Sequence, residues 1–322
     1  MAERVPVEGV YLSTALDLEK IFAEAFTPHG EAIRLRPPGE IEDPAAIRFA
    51  LCWHPAADAF RPYPNLKLAA SIAAGVDNIV NCPSLPEGAV VTRVRDEHQA
   101  DMMAGFAVWH VIWHHRNMRF HIDHQTRGEW VRRNLAGFVP PRECTVGVLG
   151  FGLMGQAIAR AVAAAGFPVV AAIRNPRAHS PIAVVDLETG PDAVMRTAAR
   201  SRILINVLPL TPETRDILDQ KLFAAMPKGA ALIQLGRGEH LVDADLDAAL
   251  DSGHLAGASL DVFRQEPLPE NHRWWRDPRI TITPHQASDC SSDMVAEQVS
   301  RAALDIVAGR MPSTAVDRSL GY

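Results

Sequence analysis

Residues 146–155 read Val146-Gly147-Val148-Leu149-Gly150-Phe151-Gly152-Leu153-Met154-Gly155, and this stretch decides the fold. It starts as a short apolar run of the kind that forms a buried strand, and its glycines then follow in the spacing G-x-G-x-x-G. Residues 156–161, rich in alanine, favour a helix. We therefore expect a strand, a tight turn and a helix, the opening unit of an α/β fold with a parallel sheet.

Each glycine of this loop has a physical reason to be there. Gly150 permits the tight turn out of the strand, Gly152 lets the backbone approach a pyrophosphate, and Gly155 lets the helix pack closely on the sheet. The free amides of Leu153, Met154 and Gly155 at the helix start would face the anion. The loop therefore predicts a dinucleotide site, the alternative being a strand–helix turn without a ligand.

The end of the next predicted strand indicates which dinucleotide is bound. An NAD site usually places Asp or Glu there to hold the ribose hydroxyls, about 20 residues beyond the loop. This chain has Arg174 and Arg177 instead. Two guanidinium groups would attract a 2′-phosphate, which favours NADP(H) while leaving NAD(H) possible. The alternative is a pair of solvated surface arginines.

The rest of the chain repeats the strand–helix pattern and predicts two α/β domains, Rossmann-like or flavodoxin-like, with parallel sheets and a cleft between them. A long helix over 99–116 leads out of the first domain, and a last helix over 292–308 is expected to return to it. We therefore expect a discontinuous substrate-binding domain, 1–98 plus 290–322, and a dinucleotide-binding domain, 99–289. The predicted strands are 7–12, 47–53, 66–72 and 89–94 in the first domain and 145–149, 169–173, 203–207, 231–235, 256–261 and 280–283 in the second.

Composition narrows the function classes. The chain has 322 residues with a formal net charge of −6 and no basic stripe, so a nucleic-acid partner is not expected. Its longest apolar stretch, 157–173, is too short and interrupted to span a membrane. No secretory signal pattern opens the sequence, and four scattered cysteines suggest reduced thiols, so we expect a cytoplasmic protein.

The long helix carries three histidines, His110, His114 and His115. They could suggest a metal site, but no carboxylate pattern accompanies them. A helix face that alternates apolar and polar residues explains them better, and we expect no metal.

Three polar residues follow strands of the second predicted sheet. Arg237, Glu266 and His285 each lie just past the end of a strand, and ligands of open α/β sheets bind at that edge. Singly, each could be a surface ion pair, a loop carboxylate or a satisfied loop histidine. Together, behind a dinucleotide loop, they predict a catalytic site.

These residues lie in motifs that resemble those of the D-isomer-specific 2-hydroxyacid dehydrogenases, in particular the glyoxylate/hydroxypyruvate reductase A branch. The resemblance covers nearly the whole chain. It rests on several separated motifs in the same order, which are Val148-Leu149-Gly150-Phe151-Gly152, Leu204-Ile205-Asn206-Val207-Leu208-Pro209-Leu210-Thr211-Pro212-Glu213-Thr214, Leu235-Gly236-Arg237-Gly238, Leu260-Asp261-Val262-Phe263, Gln265-Glu266-Pro267-Leu268-Pro269 and Thr283-Pro284-His285. One departure is Gly236, where that branch often carries Ala.

The resemblance implies NAD(P)H-dependent reduction of a small 2-keto acid. His285 would donate the proton, Glu266 would orient its ring, and Arg237 would bind the substrate carboxylate. Asp261 would lie beside the nicotinamide, and Leu208 with Pro209 would line the cofactor cleft.

In the first domain, residues 73–77 resemble the substrate loop of the family, in which backbone amides bind the carboxylate. Ala74, Gly75 and Val76 are then substrate-binding residues, unless the segment is an ordinary strand–helix turn. The family often has an extra glycine at Ala73 or Ala74. Trp53 and its neighbour His54 could form a wall of the pocket, although Trp53 could equally belong to the core.

Relatives of this kind are usually dimeric through the cofactor domain. The insertion between residues 116 and 141, with Phe120, Trp130, Val131 and Phe138, could supply apolar contacts for a homodimer or pack on its own subunit.

Two rival functions remain. One is a formate or phosphite dehydrogenase, against which Glu266 argues because formate enzymes pair their histidine with glutamine. The other is a nucleotide-sensing binding protein of the same fold.

Overall fold

The computed structural model describes residues 5–132, 139–174, 180 and 182–318. The chain divides into two compact units. Unit 1 comprises Met1–His98 with Asp289–Tyr322, and unit 2 comprises Gln99–Ser288.

Unit 1 is built on a five-stranded parallel sheet with the order β2-β1-β3-β4-β5. This is the strand order of flavodoxin-like folds. Its elements are β1 (Val7–Ser13), α1 (Leu18–Phe26), β2 (Ile33–Arg36), β3 (Phe49–Trp53), β4 (Leu68–Ser71), α2 (Asp77–Val80), β5 (Val90–Thr92) and α9 (Ser292–Val307).

Helices cover the sheet of unit 1 because its central strands are apolar on both faces. Phe49, Leu51 and Leu68 are completely buried. Helix α1 begins at a side-chain cap, since the Asp17 carboxylate accepts a hydrogen bond from the Lys20 amide. The final helix α9 packs in the same core through Val295 and its apolar neighbours, so the end of the chain completes this unit.

Unit 2 is built on a seven-stranded parallel sheet with the order β12-β11-β10-β9-β6-β7-β8. Its strands are β6 (Val146–Leu149), β7 (Val169–Ile173), β8 (Val185–Thr189), β9 (Ile203–Asn206), β10 (Ala230–Gln234), β11 (Leu255–Leu260) and β12 (Ile280–Ile282). Its helices are α3 (Glu97–Arg116), α4 (Met118–Thr126), α5 (Leu153–Ala164), α6 (Ala193–Arg200), α7 (Gln220–Ala225) and α8 (Asp243–Asp251).

The strand order of unit 2 is that of a dinucleotide-binding sheet. It reverses direction between β6 and β9, which are hydrogen-bonded neighbours. A crevice forms outside the carboxyl ends of the strands at such a reversal, and ligands of open α/β sheets bind there. The glycine loop follows β6 and the segment 207–210 follows β9, so both lie at this point.

The predicted α/β fold with two parallel sheets is confirmed, but two strands were missed. β2 carries Arg34 and Arg36, and β8 carries Asp186 and Glu188. Both are edge strands, where one side of the ladder and part of each face stay in water, so charged residues are tolerated. The prediction of six strands in the second domain was therefore wrong by one.

Two of the histidines on α3 are neutral, His110, which is buried, and His114, which is partly buried. Burial lowers the pKa of His110 to about 4, and neither of its ring nitrogens has a hydrogen-bond partner among the described residues. Burial and the nearby His110 lower the pKa of His114 to about 3, and its Nε2 lies 2.8 Å from Ser259 Oγ. In the described part of the chain, no group of acidic, Cys or His side chains is arranged to hold a metal, and no helix has the length and apolarity to cross a membrane.

The buried His110 makes a prediction about acid stability. The unfolded chain takes up a proton at this histidine near pH 6.5, whereas the folded chain does so only near pH 4. Stability is therefore full above pH 6.5 and is lost as the pH falls toward 4. We expect His110→Leu to reduce the difference in unfolding free energy between pH 8 and pH 5 by about 2 kcal/mol.

Urea denaturation at the two pH values measures this difference. His121→Leu, at an exposed position of α4, is the matched control and should keep the pH dependence of the unaltered protein. An unchanged pH dependence in His110→Leu would contradict the assignment.

Candidate active site

The glycine loop after β6 has the geometry that its sequence predicts. Gly150 has φ +96°, and a Cβ atom on it would lie 2.9 Å from the carbonyl oxygen of Val207. A Cβ atom on Gly155 would lie 1.9 Å from the carbonyl oxygen of Gly150. Both positions therefore require glycine for close backbone packing. At Gly152 a Cβ atom would meet no atom within 4 Å, so this glycine borders open space.

This loop fits a bound pyrophosphate. Helix α5 begins at Leu153, and its N-cap Gly152 has no side chain to satisfy the first amides. The amides of Leu153, Met154 and Gly155 precede the first intrahelical hydrogen bonds and are available to an anion at the helix start. The open side of Gly152 lets phosphate oxygens approach them.

Arg174 lies directly after β7, where a ribose 2′-substituent is expected, and its side chain is exposed. It lies close enough to Glu213 to affect it: a hydrogen bond from Thr211 lowers the pKa of the Glu213 carboxyl, and the charge of Arg174 adds to that effect. Arg177, the second predicted phosphate ligand, lies outside the described residues, as does Phe138 of the insertion.

The segment with Leu208 and Pro209 follows β9 at the same edge. The Leu208 amide donates to Asn206 Oδ1 at 3.3 Å, and the Pro209 carbonyl accepts a hydrogen bond of 2.7 Å from the Thr214 hydroxyl. Gly150 packs against the preceding Val207. The segment is therefore fixed beside the glycine loop, as its proposed cofactor role requires.

Two of the three predicted catalytic residues are in direct contact. His285 Nδ1 lies 2.9 Å from Glu266 Oε2, and both side chains remain partly exposed. The other carboxylate oxygen, Glu266 Oε1, accepts a hydrogen bond from the Phe263 amide at 2.9 Å. The carboxylate thus fixes one ring nitrogen of His285 and leaves the opposite one, Nε2, available for proton transfer.

The charge state of Glu266 suits this arrangement. Burial by itself raises the pKa of its carboxyl group, but hydrogen bonds from His285 and from the Phe263 amide outweigh burial, and the charges of His285 and Arg237 act in the same direction. The resulting pKa lies below the usual value, so Glu266 is an anion at neutral pH.

Asp261 organises the turn that carries His285. Its buried carboxylate accepts hydrogen bonds from the Thr283 hydroxyl at 2.6 Å and from the amides of Gln286 and Ala287 at 2.9 and 3.0 Å. Its own carbonyl accepts from the His285 amide at 2.7 Å. His285 has φ +53°, an unfavourable value for a residue other than glycine, and these bonds hold it there.

Three further polar residues surround the backbone of Arg237 and were missed from the sequence. Asn206, Gln234 and His240 are completely buried at this edge of the sheet. Asn206 and Gln234 end apolar strands, and a polar residue at such a place was the signal that could have found them.

The predicted substrate loop lies in unit 1, after β4. Ser71 Oγ accepts a hydrogen bond from the Ala73 amide and donates one to the Gly75 carbonyl, which shapes the turn. Among the described residues, the amides of Ala74, Gly75 and Val76 find no acceptor. The Val76 side chain is buried in the core, so only its backbone is available.

Trp53 ends β3 in the same unit. Its ring is partly buried against the core and stands edge-on to His54, with 4.9 Å between the ring centroids. His54 has φ +45°, and its carbonyl accepts hydrogen bonds from both the amide and the hydroxyl of Thr14. Trp53 is thus partly a core residue, and its side chain is still partly exposed.

Comparison with known proteins places this chain in a family. Residues 108–287 match the model of the D-isomer specific 2-hydroxyacid dehydrogenase NAD binding domain. The glyoxylate/hydroxypyruvate reductase A of Serratia proteamaculans is 37% identical over 281 residues, which are 85% of this chain and 87% of that protein.

Solved structures are similar over the whole chain. A D-isomer specific 2-hydroxyacid dehydrogenase from Xanthobacter autotrophicus Py2, in complex with NADPH and MES, is 34% identical with a TM-score of 0.90, over 99% of this chain and 100% of that one. An NADPH-dependent glyoxylate/hydroxypyruvate reductase from Sinorhizobium meliloti, in complex with NADP and sulfate, is 29% identical with a TM-score of 0.88, over 98% and 99% of the two chains.

The loop geometry predicts that one alanine substitution weakens cofactor binding and that another lowers the stability of the fold. Gly152→Ala places a methyl group in the open space at the helix start, so we expect an unchanged melting temperature and a dissociation constant for NADPH at least about tenfold higher. Gly155→Ala forces a methyl group against the Gly150 carbonyl, so we expect a loss of stability of about 3 kcal/mol. Thermal denaturation and NADPH fluorescence titration measure both. Normal NADPH affinity in Gly152→Ala would show that the dinucleotide does not approach the loop there.

Proposed function

The chain belongs to the D-isomer-specific 2-hydroxyacid dehydrogenase family, and we propose that it reduces small 2-keto acids of the glyoxylate and hydroxypyruvate kind with NADPH. The observation that carries the proposal is the 2.9 Å contact between His285 and Glu266, under the influence of Arg237, on a sheet edge that also holds a dinucleotide loop. The named activity of the Serratia relative supports the choice of acids.

The bound cofactor would supply a hydride to the carbonyl carbon of the acid. The residues of the chain then have three tasks. His285 donates a proton from Nε2 to the carbonyl oxygen, while Glu266 holds the ring through Nδ1. Arg237 binds the substrate carboxylate with its planar guanidinium and polarises the neighbouring carbonyl group.

The family resemblance assigns the loop after β4, in unit 1, to the substrate carboxylate as well. The amides of Ala74, Gly75 and Val76 have no acceptor among the described residues, and this supports their proposed role in anion binding. Trp53, which is partly exposed, is proposed to limit the size of the acid. Because pocket size discriminates one methylene by only about 1–3 kcal/mol, several short 2-keto acids are expected to react.

Arg174 is the residue proposed to select NADPH over NADH. It is exposed at the end of β7, and no carboxylate occupies its place in the sequence to accept a hydrogen bond from a bare 2′-hydroxyl. Its guanidinium would pair with the 2′-phosphate, and Arg177 is proposed to assist. The Xanthobacter and Sinorhizobium relatives have NADPH or NADP bound, which agrees with this preference.

We further propose a homodimer formed by unit 2. Apolar side chains on α3, α4 and the segment after them remain exposed, namely Met102 (45%), Trp109 (51%), Ile112 (43%), Ile122 (39%), Trp130 (95%) and Val131 (43%). Such a concentration of exposed apolar residues is typical of a protein interface.

We also propose a cytoplasmic location. The described cysteines are all free thiols, which supports it.

The first prediction of this proposal concerns turnover. Oxidation of NADPH and NADH is followed at 340 nm with glyoxylate, hydroxypyruvate, pyruvate and a bulkier 2-keto acid, and we expect rapid NADPH-dependent reduction of the smaller acids. His285→Ala should lower kcat by about 100-fold or more while leaving the NADPH dissociation constant within about threefold, because only proton transfer is lost.

His272→Ala, at a histidine that caps a surface turn, is the control for removal of an imidazole. Tight binding of NADPH without turnover of any acid would exclude the reductase and favour a nucleotide-sensing protein. Near-normal turnover in His285→Ala would remove His285 from the mechanism.

A second prediction concerns cofactor choice. Arg174→Ala should raise the KM for NADPH by about tenfold or more and leave the KM for NADH nearly unchanged, because only the former carries the 2′-phosphate. Arg160→Ala, at an exposed position of α5, removes the same charge elsewhere and should change neither. Equal effects of Arg174→Ala on the two cofactors would show that this residue does not recognise the phosphate.

A third prediction concerns assembly. We expect Trp109→Glu to convert the dimer into a monomer at micromolar concentration, because a carboxylate would be buried in the interface. Sedimentation equilibrium measures the mass, and Met311→Glu, 70% exposed in unit 1, is the control. A monomeric unaltered protein would contradict the proposed interface.

A further inference from the structure

A buried polar network lies at the carboxyl ends of β9 and β10. Asn206 and Gln234 are direct neighbours in the sheet, and Asn206 Nδ2 donates to Gln234 Oε1 at 2.8 Å. The same amide nitrogen lies 3.0 Å from Nδ1 of His240. All three side chains are completely buried, so each must be satisfied inside the protein.

This network holds both backbone polar groups of Arg237. The Arg237 amide donates to His240 Nδ1 at 3.0 Å. The Arg237 carbonyl accepts a hydrogen bond of 2.9 Å from Gln234 Nε2 and one of 3.0 Å from the His240 amide. The Arg237 side chain is held as well, because its Nη1 donates to the Gly236 carbonyl at 2.9 Å. Buried side chains at the sheet edge therefore fix the backbone of Arg237, from which the guanidinium side chain extends.

The hydrogen bonds define one tautomer of His240. Two N–H donors, from Arg237 and Asn206, point at Nδ1, so this nitrogen accepts and carries no proton. The ring proton is on Nε2, which lies 3.3 Å from the Pro209 carbonyl. The neutral ring thus joins the turn that carries Arg237 to the segment that borders the cofactor loop.

Gly236 explains how the ring can approach so closely. A Cβ atom at this position would lie 2.8 Å from His240 Nδ1 and 2.9 Å from Asn206 Nδ2. An alanine would press on both members of the network unless they moved.

We infer that His240 is a positioning residue for the reaction, which holds Arg237 in place for the substrate carboxylate through the hydrogen bond from the Arg237 amide to Nδ1. The inference rests on the proposed function, in which Arg237 binds the carboxylate. His240 itself takes no part in the chemistry and acts only through Arg237 and its backbone.

Two amide substitutions separate the two ends of the ring. His240→Asn places an acceptor oxygen near the position of Nδ1 and lacks a group at Nε2. His240→Gln places its amide near Nε2 and lacks the acceptor at Nδ1. Both are polar and similar in size, which makes them a matched pair. The Asn variant should therefore keep the hydrogen bond from the Arg237 amide, and the Gln variant should lose it.

The first readout is binding of oxamate, a planar carboxylate with an amide beside it, to the NADPH-loaded protein. We expect His240→Gln to raise the dissociation constant for oxamate about tenfold and His240→Asn to stay within about threefold, as expected for loss or retention of one buried hydrogen bond. The KM for the 2-keto acid should follow oxamate, while the dissociation constant for NADPH stays within about threefold in both. His254→Gln, at a histidine bonded to the carbonyls of Phe223 and Met226 at the opposite end of the strands, should change none of these.

A double-substitution cycle shows whether His240 acts through Arg237. In an Arg237→Ala background, His240→Gln should change oxamate binding and kcat/KM by less than about twofold, because the group that it positions is absent. An undiminished tenfold effect in that background would overturn the inference, as would equal oxamate affinities of the Gln and Asn variants.

Hydrogen exchange gives a readout that needs no catalysis. Exchange of the Arg237 amide should be accelerated in His240→Gln and remain slow in His240→Asn. Equal exchange rates in the two variants would show that His240 does not hold the Arg237 amide, whatever reaction the enzyme catalyses. If exchange differs as expected but the unaltered protein neither binds oxamate nor reduces a 2-keto acid, the proposed function fails and the inference about the carboxylate fails with it.

Discussion

The hydrogen bond between the side chains of Asn206 and Gln234 is the contact on which this edge of the sheet depends. It joins neighbouring strands at the point where both leave the sheet, 2.8 Å apart and fully buried. A buried amide that lost its partner would be unfavourable by about 1–3 kcal/mol, so the pair also specifies the strand register. Through His240 the same contact fixes the backbone of Arg237. Packing in the core thereby positions Arg237, the residue proposed to bind the substrate carboxylate.

The turn with His285 obeys a similar constraint two strands away. An ordinary residue at φ +53° is unfavourable, and the buried carboxylate of Asp261 stabilises it by accepting three hydrogen bonds from that turn. Glu266 then needs only to orient a ring whose backbone is already fixed. Arg237 and His285, the residues proposed to bind and protonate the acid, are therefore each held by a buried polar group at a neighbouring strand end.

Much of this could be predicted from the sequence, because buried parallel strands are apolar runs bounded by turns. The glycine loop and the central strands were found in that way, since close packing leaves only glycine at Gly150 and Gly155. The edge strands β2 and β8 were missed because their charged residues break the apolar pattern. The contact of His285 with Glu266 was implied only by resemblance, and the network around His240 was not found at all. Both depend on strand register and on side-chain direction, which one sequence does not reveal.

In the proposed mechanism, the charges of the three residues suit a monoanionic substrate. With a proton on His285, the site carries two positive charges, on Arg237 and His285, and one negative charge on Glu266, whose pKa is held low by its neighbours. The resulting single positive charge balances the carboxylate of the incoming acid. After proton donation the three residues sum to zero while the product keeps its carboxylate. The oxidised cofactor would carry on its nicotinamide ring the positive charge that His285 gives up, so the total charge that faces the carboxylate would stay the same. Release of the hydroxy acid therefore does not follow from proton transfer alone.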